Sequence, residues 1–168
     1  DENAYLQTGP NMKRGIEAHR KMDFVLAKAQ FMTTQAMYSD IVLPVTTQWE
    51  VPGGLSASNR EFLFCFSQVT EPLFEAKTDV EINSLIMEAI GVDPKTVYPI
   101  SPKQAFFNSI AGATVIADDD SGKYVPLVTV TEADLKEWGV EGKTQTGRVG
   151  LNEFVSNGGY QVERKKDD

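Results

Sequence analysis

The stretch "YSDIVLPVTTQWE", residues 38–50, decides how this chain is read. Asp40 precedes four apolar positions, Ile41 to Pro44, and Val45, two threonines, Trp49 and Glu50 follow. A consecutive apolar run suits a strand covered on both faces, as the strands of parallel sheets are. Upstream, "DFVLAK" (23–28) is a second run of this kind, through Phe24, Val25, Leu26 and Ala27. Between them, "FMTTQAMYSD" (31–40) supplies Thr33 or Thr34 as a cap for a short helix. Strand, helix and strand in so few residues predict two neighbouring parallel strands over 23–44, joined by a right-handed crossover.

Working outward, "GPNMKRGIEAHRKM" predicts a helix capped by Asn11, with Ile16 and His19 on one face. "VPGGLSASNR" (51–60) reads as loop, because Pro52 and the Gly53-Gly54 pair oppose regular structure. "EFLFCFSQ" (61–68) alternates as a strand, with Phe62, Phe64 and Phe66 on one face and apolar Leu63 and Cys65 on the other. "VEINSLIMEAIG" (80–91) has the clearest helical period and is stopped by Gly91. "SPKQAFFNSIAG" (101–112) follows, with Ser101 as cap, Pro102 at the first position, Gln104 completing a capping-box pattern and Gly112 at the end.

Beyond Asp118 the texture changes. "DDDSGK" reads as a turn, "YVPLVTV" as a strand demoted by Pro126, and "TEADLKEWG" as a helix capped by Thr131 and stopped by Gly139. The Gly-rich polar remainder reads as irregular. The expected fold is therefore α/β: a Rossmann-like, three-layer parallel sheet flanked by helices in residues 1–117, and an extended connector with one short helix in 118–168.

Composition removes several function classes. The 168 residues, 41% hydrophobic, suffice for one main domain with a core. A net charge of −8, with no basic run longer than "RKK", argues against nucleic acid as a partner. No stretch approaches the roughly eighteen apolar residues of a membrane span and no basic-then-apolar leader opens the chain, so direct membrane insertion is not expected. The start at "DENAYLQTGP", without an initiator methionine, reads as a cut through a longer protein. The single Cys65, inside an apolar run, reads as a buried small hydrophobe.

Few residues offer chemistry. His19, the only histidine, reads as a solvent-facing helix residue, with no nucleophile elbow to serve. Asp118 to Asp120 place Gly122 fifth where a calcium loop needs it sixth, so they read as a solvated turn. No glycine-rich phosphate motif occurs. Asp79 is harder to assign, since Thr78, Asp79 and Glu81 head the strongest helix. Thr78 with Glu81 makes a capping box, and an acidic residue in the first turn is favoured by about 0.3–1 kcal/mol. A carboxylate there also matches a guanine edge, accepting from N1–H and the exocyclic amine. Both readings stay open.

The stretch from Phe31 through Met32, Thr33, Thr34, Gln35 and Ala36 to Asp40, then Ile41–Pro44 and Glu50, resembles the signature of the molybdopterin oxidoreductases of the dimethyl sulfoxide reductase family. The resemblance continues through "VTEPLFEAKTDVEINSLIMEAIG" (69–91), back to "ENAYLQ" (2–7) and forward into "VPLVTVTEADLKEWGV" (125–140). It implies a piece of the third domain of a catalytic subunit, helping to bind one half of a bis-molybdopterin guanine dinucleotide. Asp79, in the "KTD" position, is implied as the guanine partner, Asn3 as a contact to the dinucleotide, and Thr33 as a bond to phosphate or ribose or simply a helix cap. Two positions depart from the pattern. Ala29 stands where the family has an aspartate, with Gln30 as its substitute, and Gln35 stands where the family has a second threonine.

On this resemblance the intact enzyme moves two electrons and an oxygen atom to or from a small substrate such as an S- or N-oxide. Its partners are the rest of the same subunit, an iron–sulfur electron-transfer subunit and a membrane anchor. The alternatives are a cofactor-free scaffold, as in the large iron–sulfur subunit of respiratory NADH dehydrogenase, to which Ala29 points, and an interaction module without redox role. A single cysteine holds no cluster, and the chain has no complete nucleophile or acid–base set. The isolated chain is therefore expected to bind no cofactor or metal and to catalyse nothing. Stoichiometric molybdenum or iron by elemental analysis, or reductase activity with a viologen donor, would overturn that expectation.

Overall fold

The structure is a computed structural model that describes residues 6, 9–57, 61–117 and 121–163. By their contacts the residues fall into two compact units, Asp1–Glu50 with Thr70–Thr96 and Val51–Val69 with Val97–Asp168. The class is α/β, as expected. In place of one continuous parallel sheet, the described residues carry small parallel and antiparallel sheets flanked by helices.

The first unit begins with α1 (Met12–His19), where Asn11 Oδ1 accepts from the Arg14 N–H at 3.0 Å. Strand β1 (Leu26–Ala29) pairs in parallel with β2 (Ile41–Pro44), from Leu26 against Ile41 to Ala29 against Pro44. The short α2 (Thr34–Met37) joins them, capped by Thr33 Oγ1 accepting from the Ala36 N–H at 3.2 Å. This is the strand–helix–strand unit that residues 23–44 predict. Strand β1 starts at Leu26 and not at Phe24 because Asp40 occupies the backbone beside it. Its Oδ2 accepts from the Val25 N–H at 2.7 Å, and its own N–H bonds Val25 O at 2.9 Å.

Beyond β2 the parallel pairing extends by one step. Val45 bridges Lys77, with the Thr46 N–H on Lys77 O and the Lys77 N–H on Pro44 O. Helix α3 (Asp79–Ala89) starts two residues later. The capping box is complete: Thr78 Oγ1 accepts from the Glu81 N–H, and Glu81 Oε2 accepts from the Thr78 N–H at 2.7 Å. Ile90 closes the helix and Gly91 follows with φ +79, a conformation suited to glycine. His19 corrects its reading: it is buried, at the end of α1, and its Nε2 has no hydrogen-bond partner among the described residues. Ile16 and His19, three apart, do not by themselves fix which side of the helix is buried.

Glu50 answers why a carboxylate follows β2. It is 5% exposed, and its Oε2 accepts from the Thr47 N–H at 2.6 Å and the Thr47 hydroxyl at 2.8 Å. Its Oε1 accepts from the Leu73 N–H at 2.8 Å. The bonds to the Thr47 backbone, then the Leu73 backbone and the Thr47 hydroxyl, hold the carboxyl pKa below its ordinary value of 4.5, against a smaller opposing effect of burial.

In the second unit, β3 (Gly53–Ala57) and β9 (Gly159–Gln161) flank β4 (Phe62–Ser67), both antiparallel to it. Strand β3 corrects the loop reading of 51–60. Aromatic rings lie against its glycines: a Cβ on Gly53 would meet the Phe106 ring at 2.6 Å, and one on Gly54 would enter the Phe66 ring. A connection as short as that between Ala57 and Phe62 permits only antiparallel pairing. On β4 the alternation holds, and the inward face is Leu63 and Cys65 while Phe62 and Phe64 stay half-exposed. Burial raises the Cys65 thiol pKa, as befits an inert hydrophobe.

Helix α4 (Pro102–Ala111) starts at Ser101, whose Oγ accepts from the Gln104 N–H. Gln104 does not complete a capping box. Its amide Nε2 donates to Asn108 Oδ1 and to Glu141 O, and its Oε1 accepts from the Glu141 N–H at 2.8 Å. Strands β5 (Thr114–Ile116) and β6 (Tyr124–Pro126) pair antiparallel, and β7 (Val128–Thr129) pairs in parallel with β8 (Val149–Gly150), so Pro126 divides the expected single strand into two. Helix α5 (Glu132–Trp138) has the expected Thr131 cap and the left-handed Gly139 stop. The polar remainder is less irregular than its composition suggests. Helix α6 (Leu151–Asn157) lies between β8 and β9, and its Leu151 and Phe154 join Phe107, Ile110, Leu127 and Val128 in the core.

Two stability tests follow. Phe154 is fully buried, so Phe154→Ala should cost about 3–5 kcal/mol in urea unfolding; a cost near zero would return residues 151–157 to the status of connector. For Glu50, a depressed folded-state pKa means stability that is present above the unfolded value and lost as pH falls through the folded one. Thermal midpoints taken from neutrality down to about pH 3 should drop below pH 4.5, and Glu50→Gln should lower the neutral midpoint and flatten that acid limb. An unchanged acid limb in Glu50→Gln refutes this role.

Candidate cofactor-binding site

In open α/β layers, ligands settle beyond the carboxyl ends of parallel strands, where loops replace ladder hydrogen bonds. In the first unit three segments meet there. Gln30 follows β1, Thr46 follows β2, and Lys77 bridges Val45 just before α3 begins. Gln30 Nε2 donates to Thr46 O at 3.0 Å, linking the two strand ends, and Thr46 N–H bonds Lys77 O. Glu50 sets the return of the chain to this point by holding Leu73.

Asp79 occupies the first turn of α3 with its side chain 63% exposed. Its Oδ1 pairs with the Lys28 ammonium, which reaches across from β1 and is 29% exposed. The same ammonium donates to Asn83 Oδ1, one turn along α3, at 3.3 Å. Glu81 is committed to the cap, and its pKa is lowered chiefly by the Thr78 backbone N–H and then the Thr78 hydroxyl. Helix support therefore falls to Thr78 and Glu81, leaving Asp79 with a carboxylate turned partly to solvent.

Of the other residues singled out by sequence, Thr33 is at the start of α2, where its hydroxyl oxygen caps the helix. Gln30 lies at the strand mouth, with its amide on Thr46. Asn3 lies outside the described residues. Sequence reasoning passed over Lys28 and gave Glu50 no role. The signal for Lys28 was present as a single cation inside the apolar run "FVLAKA". Ala29, at the family's aspartate position, is buried.

Alongside the site runs an apolar groove of about 610 Å3, lined by Leu43, Pro44, Phe74, Ile82, Leu85 and Ile86 among others. Phe74 sits at its edge, fully exposed and with φ +54, an uncommon conformation for a bulky residue. Among the described residues no group of three or more His, Cys, Asp or Glu side chains is placed to hold a metal, and no helix is long and apolar enough to cross a membrane.

Residues 2–89 match the family model described as molybdopterin oxidoreductase, just over half of the chain. A Staphylococcus haemolyticus protein named "Putative formate dehydrogenase" is 31% identical over 97 residues, which is 58% of this chain and 9% of that protein. A Staphylococcus aureus protein of the same name is 32% identical over 82 residues, 49% of this chain and 8% of that one. The chain thus spans less than a tenth of the length of these relatives. The matched region contains both strands of the parallel pair, Glu50 and α3 with Asp79, together with β3 and β4 of the second unit, and the chain belongs to the molybdopterin oxidoreductase family.

Proposed function

We propose that this chain forms part of the wall that holds the dinucleotide end of a molybdopterin guanine dinucleotide in an oxidoreductase catalytic subunit. The observation that carries the reading is the Asp79 carboxylate. It stands exposed in the first turn of α3, where the ends of β1 and β2 converge with residue 77 and where α3 does not need it as a cap. A carboxylate offers about four lone-pair sites, enough to accept guanine N1–H and the exocyclic amine beside its ion pair. Gln30 and Thr33 lie on the loop after β1, Gln30 as the substitute for the guanine-contacting aspartate of the family and Thr33 with a hydroxyl suited to ribose or phosphate, and Asn3 belongs to the same proposed set. These residues fit the nucleotide end of the cofactor and not its metal end.

When bound, the molybdopterin supplies the two-electron chemistry, and the part played by these residues is binding and orientation. The relatives' name favours formate as the substrate of the whole protein over the S- or N-oxide that the sequence resemblance implied. The whole enzyme would work with the rest of its own subunit, an iron–sulfur electron-transfer subunit and a membrane anchor. Asp79 argues against a cofactor-free scaffold, to which Ala29 pointed.

The test is Asp79→Asn in the full-length protein, with guanine nucleotide released per subunit measured beside the thermal midpoint. Asparagine keeps the shape but turns an amide donor toward the donors of guanine, a mispairing of roughly 1–3 kcal/mol. Loading should fall about 5- to 150-fold while the midpoint moves little. Full loading with a lowered midpoint refutes the ligand role and leaves Asp79 a helix-starting residue.

A further inference from the structure

Strand β1 carries one charged side chain, Lys28, in an otherwise apolar run. Its side chain is partly buried, at 29% exposure, and the ammonium sits against the N-terminal turn of α3. A cation beside the positive end of a helix dipole is unfavourable in itself. The stability of α3 does not account for the placement either, because the Thr78–Glu81 capping box already satisfies the helix start. What the lysine meets there are two oxygens, Asp79 Oδ1 and Asn83 Oδ1.

We propose that Lys28 is a positioning residue for the cofactor: it holds the Asp79 carboxylate in one orientation, with the remaining lone pairs turned outward to receive the donors of a guanine edge. The inference rests on the guanine-binding reading of Asp79. Without the lysine, a 63% exposed aspartate at a helix start samples its rotamers freely, and ordering it falls to the ligand. Lys28 also neutralises Asp79, so that in a chain of net charge −8 the carboxylate does not repel the phosphates attached to the same nucleotide. A partly exposed ion pair adds little to fold stability, so the effect of Lys28 is expected in binding and not in folding.

The experiment uses the full-length protein and measures GMP released per subunit after acid hydrolysis, with the thermal midpoint recorded in parallel. Lys28→Met should lower GMP content roughly three- to tenfold, the cost of ordering a freed side chain. Lys28→Arg, which keeps the charge, should restore most of it. The double variant Lys28→Met with Asp79→Asn should contain no less GMP than Asp79→Asn alone, since the lysine acts through the aspartate. Asn83→Ala removes the second hydrogen bond from the ammonium but leaves the ion pair, and should keep its GMP. If Lys28→Met does not fold, Lys28→Gln makes the same comparison. Full GMP in the lysine variant, additive losses in the double variant, or an equal loss in Asn83→Ala overturns the positioning role while the reading of Asp79 stands. Full GMP in Asp79→Asn overturns both.

Discussion

The Glu50 carboxylate is the constraint on which the first unit depends. Three donors converge on it, two from Thr47 and one from Leu73, which lies 23 residues further along the chain. A buried carboxylate left without such bonds would destabilise the fold, so the turn after β2 and the return of the chain at Leu73 must form together. That return leads through Phe74 to Lys77, where the backbone joins the end of β2, and then to the first turn of α3. The position of Asp79 is thus inherited from the hydrogen bonds of the Glu50 carboxylate.

The parallel pair is small for the work it does. Parallel strands are ordinarily buried on both faces. Here Leu26 and Ile41, the first pair in register, remain partly exposed, and so do Phe31 and Met32 after β1. Phe74, with positive φ, is fully exposed at the groove beside α3.

The departures from the family signature have structural counterparts. Ala29 is buried at the end of β1, where a carboxylate would have to be desolvated. Gln30, next to it, spends its amide on Thr46 O and ties the two strand ends together. Lys28, the residue before Ala29, pairs with Asp79.

What the sequence determined by itself is local. The Asn11, Thr33, Thr78, Ser101 and Thr131 caps, the stops at Gly91 and Gly139 and the short crossover from β1 to β2 were legible because each depends on residues within a few positions of one another. The family signature was legible for the same reason, being a contiguous run. Tertiary structure decided what depends on distant partners. It made a strand of the Gly53-Gly54 segment by pairing it with β4 and laying aromatic rings on its glycines. It drew the Gly-rich tail into the core through Leu151 and Phe154. It turned Gln104 from its cap toward Glu141, 37 residues away, and brought Lys28 to Asp79 and Asn83 across α3. The physical reason is common to all of these. A strand is defined by the neighbour that takes its hydrogen bonds, and a polar side chain by the partner that repays its desolvation, and neither is near in sequence.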